Sequence, residues 1–460
     1  MKDTSESSSR RLMIETPIPK LLVKMSVPMM VALTVNGLYY LVDAAFVGHA
    51  VGVNGVAALA VGFPIDMFYI ALAIMFSIGA AGILSVQLGR GENEQASVTL
   101  KSIILFTILT CFVLSLVLLL AKDHLIYALG ANDAVFPHAD NYYSVIIPGA
   151  VFVFLSFLGA NSARAEGNAG FAAVGMITGA VLNIGLDAIF ILKLGWGTAG
   201  AAWGTVLARA VTVLMYVWYY WGGKATVAIA DGAWRIDFAE IGMMAKIGFS
   251  AFLNQVGYSF LAAIVNISIK RYGATLDLSV FGLVSRILIF VTMPLTGIGQ
   301  GVQAVVGFNY GAGLLKRVKE SVRIGYVYSV AFGMVLFIIL FAFPEGVLSF
   351  FTKSPELIAA GIQPLRLATC AVALIGVQIV TYFYYISVHQ VFFSMLTSIC
   401  RQILFITPFL LILPRFYGMN GVWASFPISD VISAAACLLL FYLSFRQSSH
   451  LPVMQPAKGE

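Results

Sequence analysis

Apolar residues run in long blocks separated by short polar turns along nearly the whole chain. A helix rises 1.5 Å per residue and the hydrocarbon layer is roughly 30 Å thick, so about 20 mostly apolar residues span it. Twelve blocks meet that length: 22–46, 56–87, 102–121, 142–162, 170–192 and 199–221, then 241–269, 279–309, 324–343, 362–387, 391–414 and 420–445. Backbone amides in lipid must bond within their own element, so the blocks predict helices. A polar stretch from Gly222 to Glu240 separates the two sets of six. The expected organisation is a polar tail (1–18), a six-helix lobe (19–221), a linker (222–240), a second six-helix lobe (241–445) and a closing tail (446–460). The first tail is Ser-rich with Arg10 and Arg11, and no small-x-small cleavage site follows the first apolar block. That block is also longer than a signal-peptide core, so it is expected to stay as the first membrane helix.

Composition strengthens this picture. Of 460 residues, 60% are hydrophobic and 10% charged, against roughly 25% charged in soluble domains. So little charge does not wet a surface of this size, and a lipid bilayer is the implied partner. The net charge of +6 does not point to nucleic acid, because the cations sit in turns between apolar blocks. Arg90 and Lys101, then Lys224, Arg235 and Lys246, then Lys316, Arg317, Lys319 and Arg323 occupy turns on one side. The turn after the third block, on the other side, carries Asp123, Asp133 and Asp140 with Lys122. The positive-inside bias predicts a multi-pass cell-membrane protein (inner or plasma membrane) with both termini cytoplasmic. The cysteines, Cys111, Cys370, Cys400 and Cys437, lie in apolar blocks without metal-like spacing and read as small buried hydrophobes.

The halves resemble each other. A shift of 222 places Gly89-x-Gly91 on Gly311-x-Gly313, Gly79 on Gly301, Ile65 on Ile287 and Phe68 on Phe290; a shift of 220 places Trp203 on Trp423. Repeats with an even number of spans share one orientation and are related by an axis along the membrane normal, which places a site near the midplane.

Ionisable groups in apolar spans need a partner or a purpose. In the first block Asn36, Tyr40 and Asp43 follow an i, i+4, i+7 spacing, and in the fifth Asn183 and Asp187 are i, i+4. Each set shares one helical face. A desolvated carboxylate prefers its neutral form, a second carboxylate adds to that preference, and an amide N–H opposes it. Such a stripe suits uptake and release of H+, and with Asn carbonyl oxygens it equally suits Na+. Pro28 removes a backbone hydrogen bond earlier in the same block and is a candidate hinge. The bland alternative is that Asp43 and Asp187 lie in water near the outer ends of their helices. In the second half Asn254 and Gln255 do not titrate, while Asp430 reads as the partner of a buried cation, Arg286 or Arg401. Arg164 and Glu166 suggest a local ion pair or helix-end role, and Asp66 and Arg209 have no assigned role.

Aromatic and sulfur side chains are abundant; Tyr40, Phe154, Phe157, Gln255, Met293 and Tyr382 are candidate cavity residues for an organic cation, against the ordinary alternative of helix packing. No phosphate loop, His-Glu-x-x-His or Gly-x-Ser-x-Gly motif is present. An enzyme and an ATP-driven pump are therefore disfavoured, no cofactor is expected, and either an ion gradient supplies the energy or the movement is passive.

The ordered motifs of Val27–Ala60 (Pro28, Asn36, Asp43, Phe46-Val47-Gly48, Val56-Ala57-Ala58-Leu59-Ala60) resemble the multidrug and toxic compound extrusion (MATE) family. So do Asn183-x-x-x-Asp187, Gly200-Ala201-Ala202-Trp203-Gly204, Gln300-Gly301 and Asn309-Tyr310-Gly311-Ala312-Gly313. The likeness runs from about Pro19 to Phe445 and is nearest to MepA-like or DinF-like bacterial members. It implies two six-helix bundles in a V with a pseudo-twofold repeat. It also implies a monomer that exchanges H+ or Na+ for small organic compounds by alternating access, with Asp43, Asp187, Asn183 and Asn36 at the coupling site. Members with acids in helices 7 and 10 are not matched, since Asn254-Gln255 stands at the first place and no acid at the second. The alternative function is a lipid-linked oligosaccharide flippase, which would need several cavity cations such as Arg286 and Arg401. A major-facilitator carrier is disfavoured because the turn after the second block reads Leu-Gly-Arg-Gly-Glu-Asn-Glu.

Overall fold

The computed structural model describes residues 10–448 apart from Lys224 and residues 230–232, with the side chains of residues 40, 41, 44, 45, 53 and 445–448 outside the description. Six helices carry the first half: α1 Ile18–Ala50, α2 Val53–Arg90, α3 Asn93–Ala128, α4 Phe136–Ala165, α5 Ala169–Asp187 and α6 Gly197–Trp221. The second half follows with α7 Phe238–Tyr272, α8 Thr275–Gly311, α9 Leu315–Ala342, a short α10 Pro344–Phe351, α11 Pro355–Thr369, α12 Val372–Ser387, α13 Val391–Ile399 and α14 Ile406–Ser448. Among the described residues, ten helical segments are long and apolar enough to cross a membrane, and the α11–α12 pair, bent by 47°, makes an eleventh. The last segment, 391–444, holds two helices that meet at Gly418, whose φ of 53° and ψ of −136° break the helical path. Counting it twice gives the twelve crossings expected from the apolar blocks. Leu120 is 80% exposed and Phe112 67%; large apolar side chains turned outward on α3 suit a lipid-facing helix, not a wetted one.

Two features depart from the expectation. Cys370 is exposed, whereas Cys111, Cys400 and Cys437 are buried as expected; Cys370 sits at the bend between α11 and α12, where the helix opens. Two spans also end or continue as π-helix, Ala188–Lys193 directly after Asp187 and Cys400–Phe405 between α13 and α14. They occupy the fifth and eleventh crossings, which correspond in the repeat. A π segment is rare and re-aims the side chains of its turn.

The chain forms two compact units that do not coincide with the halves of the sequence. Residues 31–248 belong to one, and 17–30 together with the chain from Phe249 belong to the other. The boundary inside α1 falls between Met30 and Val31, two residues after the candidate hinge Pro28. In the first unit α4 packs against α2 and α6; in the second α12 packs against α8 and α14. The close helix contacts repeat as well. A Cβ on Gly79 would lie 2.3 Å from the Met244 carbonyl oxygen, and one on Gly248 2.0 Å from that of Met75. In the second unit, one on Gly301 would lie 3.0 Å from Ser26 Cα and one on Gly297 2.6 Å from Met30 N. A shift of 222 carries Gly79, Met75 and Gly248 onto Gly301, Gly297 and Ser26. Backbones this near exclude larger side chains, so the small residues of the repeat are explained by packing.

Candidate functional site

The first unit brings carboxylates from three helices together. Asp187 is fully buried at the last turn of α5. In the amide orientation that satisfies both ends, Asn183 Nδ2 donates to Asp187 Oδ2 at 3.2 Å, while its oxygen accepts from Thr205 N and Thr205 Oγ1, each at 3.2 Å. The i, i+4 spacing thus does what it implied, with α6 completing the contact. Gly204 makes that approach possible: a Cβ there would lie 2.1 Å from Asp187 Oδ1.

Asp43, on α1, is near enough to repel Asp187 and also Asp66 of α2. Among the described residues, no Lys or Arg acts on Asp43, Asp66 or Asp187. Asn36 Oδ1 and Asp43 Oδ1 are buried and, among the described residues, accept no hydrogen bond. Asp66 accepts a hydrogen bond from Tyr143 Oη of α4 at 3.1 Å. Uncompensated carboxylates in a lipid-embedded unit are costly unless they are neutralised by a proton or cation.

The remaining sequence candidates separate. Tyr40 lies outside the described side chains. Phe154 is buried, edge-on to Tyr69 and Phe76 at 6.3 and 5.7 Å between ring centroids. Phe157 is half-buried beneath the Arg209 guanidinium at 5.6 Å, and Arg209 Nη2 also donates to Tyr39 Oη at 3.1 Å. In the second unit Tyr382 is buried edge-on to Phe383 at 5.0 Å, and Gln255 and Met293 are half-buried. Arg401 Nε, in the π segment, donates to Asp430 Oδ1 at 2.5 Å, so Arg401 is the partner of Asp430 while Arg286 is exposed. The second unit therefore pairs its buried Asp430 with a cation, whereas among the described residues no cation acts on Asp187.

At the end of α4, Arg164 Nη2 donates to Asn161 Oδ1 at 2.5 Å. Glu166 ties the linker down, accepting from Thr226 N at 2.9 Å and Tyr219 Oη at 3.4 Å. Burial pushes the Glu166 carboxyl up to about 8, against the hydrogen bonds from Thr226 and Tyr220.

Sequence reasoning missed Thr205, and it left Asp66 unassigned; both partners are far along the chain, 22 residues from Asn183 and 77 from Tyr143. The only available signal for Asp66 was its charge inside an apolar block.

Comparison with known proteins agrees with the repeat. The profile of the family described as MatE matches residues 28–189 and again 250–412, two matches whose starts lie 222 residues apart. The chain is 24% identical over 433 residues to the multidrug export protein MepA of Staphylococcus aureus, covering 93% of this chain and 94% of that protein. It is 23% identical over 418 residues to MepA of Staphylococcus saprophyticus, covering 91% and 92%. Its fold matches the outward-facing conformation of a multidrug resistance MATE family transporter of the MOP superfamily with a TM-score of 0.91 at 24% identity, over 96% of this chain and 98% of that one. A MOP superfamily transporter from Pyrococcus furiosus matches with a TM-score of 0.90 at 23% identity, over 96% and 99%. With both halves matched in register, the chain belongs to the MatE family of membrane transporters.

Proposed function

We propose that the chain is a secondary multidrug efflux antiporter of the cell membrane, a monomer with both termini cytoplasmic, that exports organic and often cationic compounds in exchange for H+ or Na+. The observation that carries this reading is the uncompensated pair of the first unit: Asp187, held by Asn183 and repelled by Asp43, with no cation among the described residues acting on either. Such a pair is stable when it holds a proton or a small cation and is primed to attract an organic cation when it does not. The two states exclude each other, and that exclusion is what exchange requires. Na+ favours oxygen ligands, and Asn36 Oδ1 and Asp43 Oδ1 are oxygens without a donor among the described residues; a proton needs the carboxylates alone. The multidrug export named for the staphylococcal relatives supports the substrate class. A flippase for pyrophosphate-linked lipid would need free buried arginines, and Arg401 is held by Asp430.

Ethidium efflux from transporter-deficient bacteria tests the reading, with wild type, Asp43→Asn and Asp187→Asn present at equal levels in the membrane and H+ or Na+ gradients imposed. Loss of efflux in both variants, with one gradient driving the wild type, is expected. Normal pumping by both variants removes the site. A wild type that moves no organic cation moves the flippase reading forward.

A further inference from the structure

Asp66 stands apart from the Asp43–Asp187 pair in depth and in its partner. It lies 13 residues into α2, which begins at Val53, or about 20 Å along the axis. Asp43 lies 7 residues from Ala50, the end of α1 that the turn at Val51 joins to α2, or about 10 Å along its own axis. A solvated position near a helix end therefore does not account for Asp66. The local geometry is built around it. A Cβ on Gly62, one turn before Asp66, would lie 1.9 Å from the Tyr143 ring. With glycine there, the ring crosses α2 and its hydroxyl reaches Asp66 Oδ2.

We propose that Asp66 is a second proton-binding station of the transporter, deeper than Asp43 and positioned by Tyr143. The proposal rests on the coupling role given above to Asp43 and Asp187. The titratable groups acting on or beside Asp66 are Asp43 from α1, Tyr142 and Tyr143 from α4, and Tyr69 from α2 itself. All are acids or phenols, and among the described residues no cation acts on Asp66. An amide oxygen at position 66 could also accept from Tyr143, though more weakly than a carboxylate does, so the hydrogen bond does not by itself require an acid here. The occupant proposed is a proton, because it needs only the carboxylate oxygen that Tyr143 leaves unengaged. The Tyr143 hydroxyl holds the other carboxylate oxygen, and Tyr69, three residues on along α2, continues into a ring contact with Phe154 at 6.3 Å. On loading, an O–H bond forms at the carboxylate oxygen that Tyr143 does not engage, and the proton comes from water. On ionisation the proton returns to water. Because Asp43 and Asp66 repel each other, charge on one favours protonation of the other, and the proton load of the unit is shared between the two depths.

The test uses the purified full chain in detergent, counting protons released per ethidium bound with a pH-sensitive dye between pH 6 and 9. For the wild type, Asp66→Asn should lower the count by up to one proton per ethidium, and Asp66→Glu should restore it. Tyr143→Phe keeps the ring against Gly62 and removes the donor to the ionised form, so its release profile should move to higher pH. This second variant serves even where Asp66→Asn folds poorly. A count unchanged in Asp66→Asn and a profile unmoved in Tyr143→Phe, alongside a reduced count in Asp43→Asn, overturn the proposal and leave the coupling reading standing. Wild-type protein that binds ethidium without releasing protons overturns the proposal and the proton form of that reading together.

Discussion

Removing Arg401 should destabilise the second unit far more than removing Arg401 and Asp430 together. Arg401 Nε meets Asp430 Oδ1 at 2.5 Å, and the two side chains are only 11% and 1% exposed. Gln378 Nε2 donates to the Asp430 backbone oxygen at 3.0 Å, and among the described residues no other ion pair involves Asp430. Arg401→Ala therefore strands a buried carboxylate, which costs about 3–5 kcal/mol. The Arg401→Met, Asp430→Leu double variant removes both charges at similar volume and should be neutral or stabilising. For a large domain roughly 2 °C of Tm corresponds to 1 kcal/mol, so the single variant should melt roughly 6–10 °C below wild type. Thermal unfolding of the detergent-purified protein reads this, with ethidium efflux beside it. If the pair is a packing device, the double variant melts with wild type and still pumps. A double variant as unstable as Arg401→Ala refutes the energetic reasoning. A stable double variant that no longer exports shows that the pair takes part in transport.

Gly204→Ala places a Cβ 2.1 Å from Asp187 Oδ1; it should cost about 1–3 kcal/mol and abolish ethidium efflux, and wild-type export by this variant would contradict the role of the α5–α6 contact. Asp187→Asn should lose efflux yet raise the apparent Tm at alkaline pH, because the charge it removes has no cation to meet; a fall in Tm would mean that the carboxylate stabilises the fold. The Glu166 carboxyl is raised from 4.5 to about 8, so between those values the folded chain binds more protons than the unfolded one. Its contribution to stability therefore declines as pH rises through that window and is level above it. Melting curves from pH 4.5 to 9 should show that slope in wild type and a shallower one in Glu166→Gln, whereas identical slopes would remove Glu166 as its source.

Much of the fold was legible because the chain must satisfy every backbone amide inside lipid, so apolar block length alone located the crossings. The break at Gly418 falls in the gap expected between 414 and 420. The π segments were not legible: Ala-Ile-Phe-Ile-Leu-Lys and Cys-Arg-Gln-Ile-Leu-Phe read as ordinary apolar helix. Asn183 and Asp187 could be paired from spacing, since residues four apart share a face. Thr205, Gly204 and the Tyr143–Asp66 bond could not, because each arises where separate helices meet and leaves no periodic trace. The choice between Arg286 and Arg401 as the partner of Asp430 was likewise set by packing, which buries one and exposes the other. The crossing of α1 from one compact unit to the other beside Pro28 also has no counterpart in the pattern of apolar blocks.

Counterflow in liposomes tests the central claim most directly. Purified protein is reconstituted with ethidium on one side only, and movement of H+ and of radioactive Na+ is followed with no imposed ion gradient. The account predicts that ethidium flux drives one of the two ions in the opposite direction through the wild type, and that Asp187→Asn carries neither. Ethidium crossing through the wild type without counter-movement of either ion would contradict it.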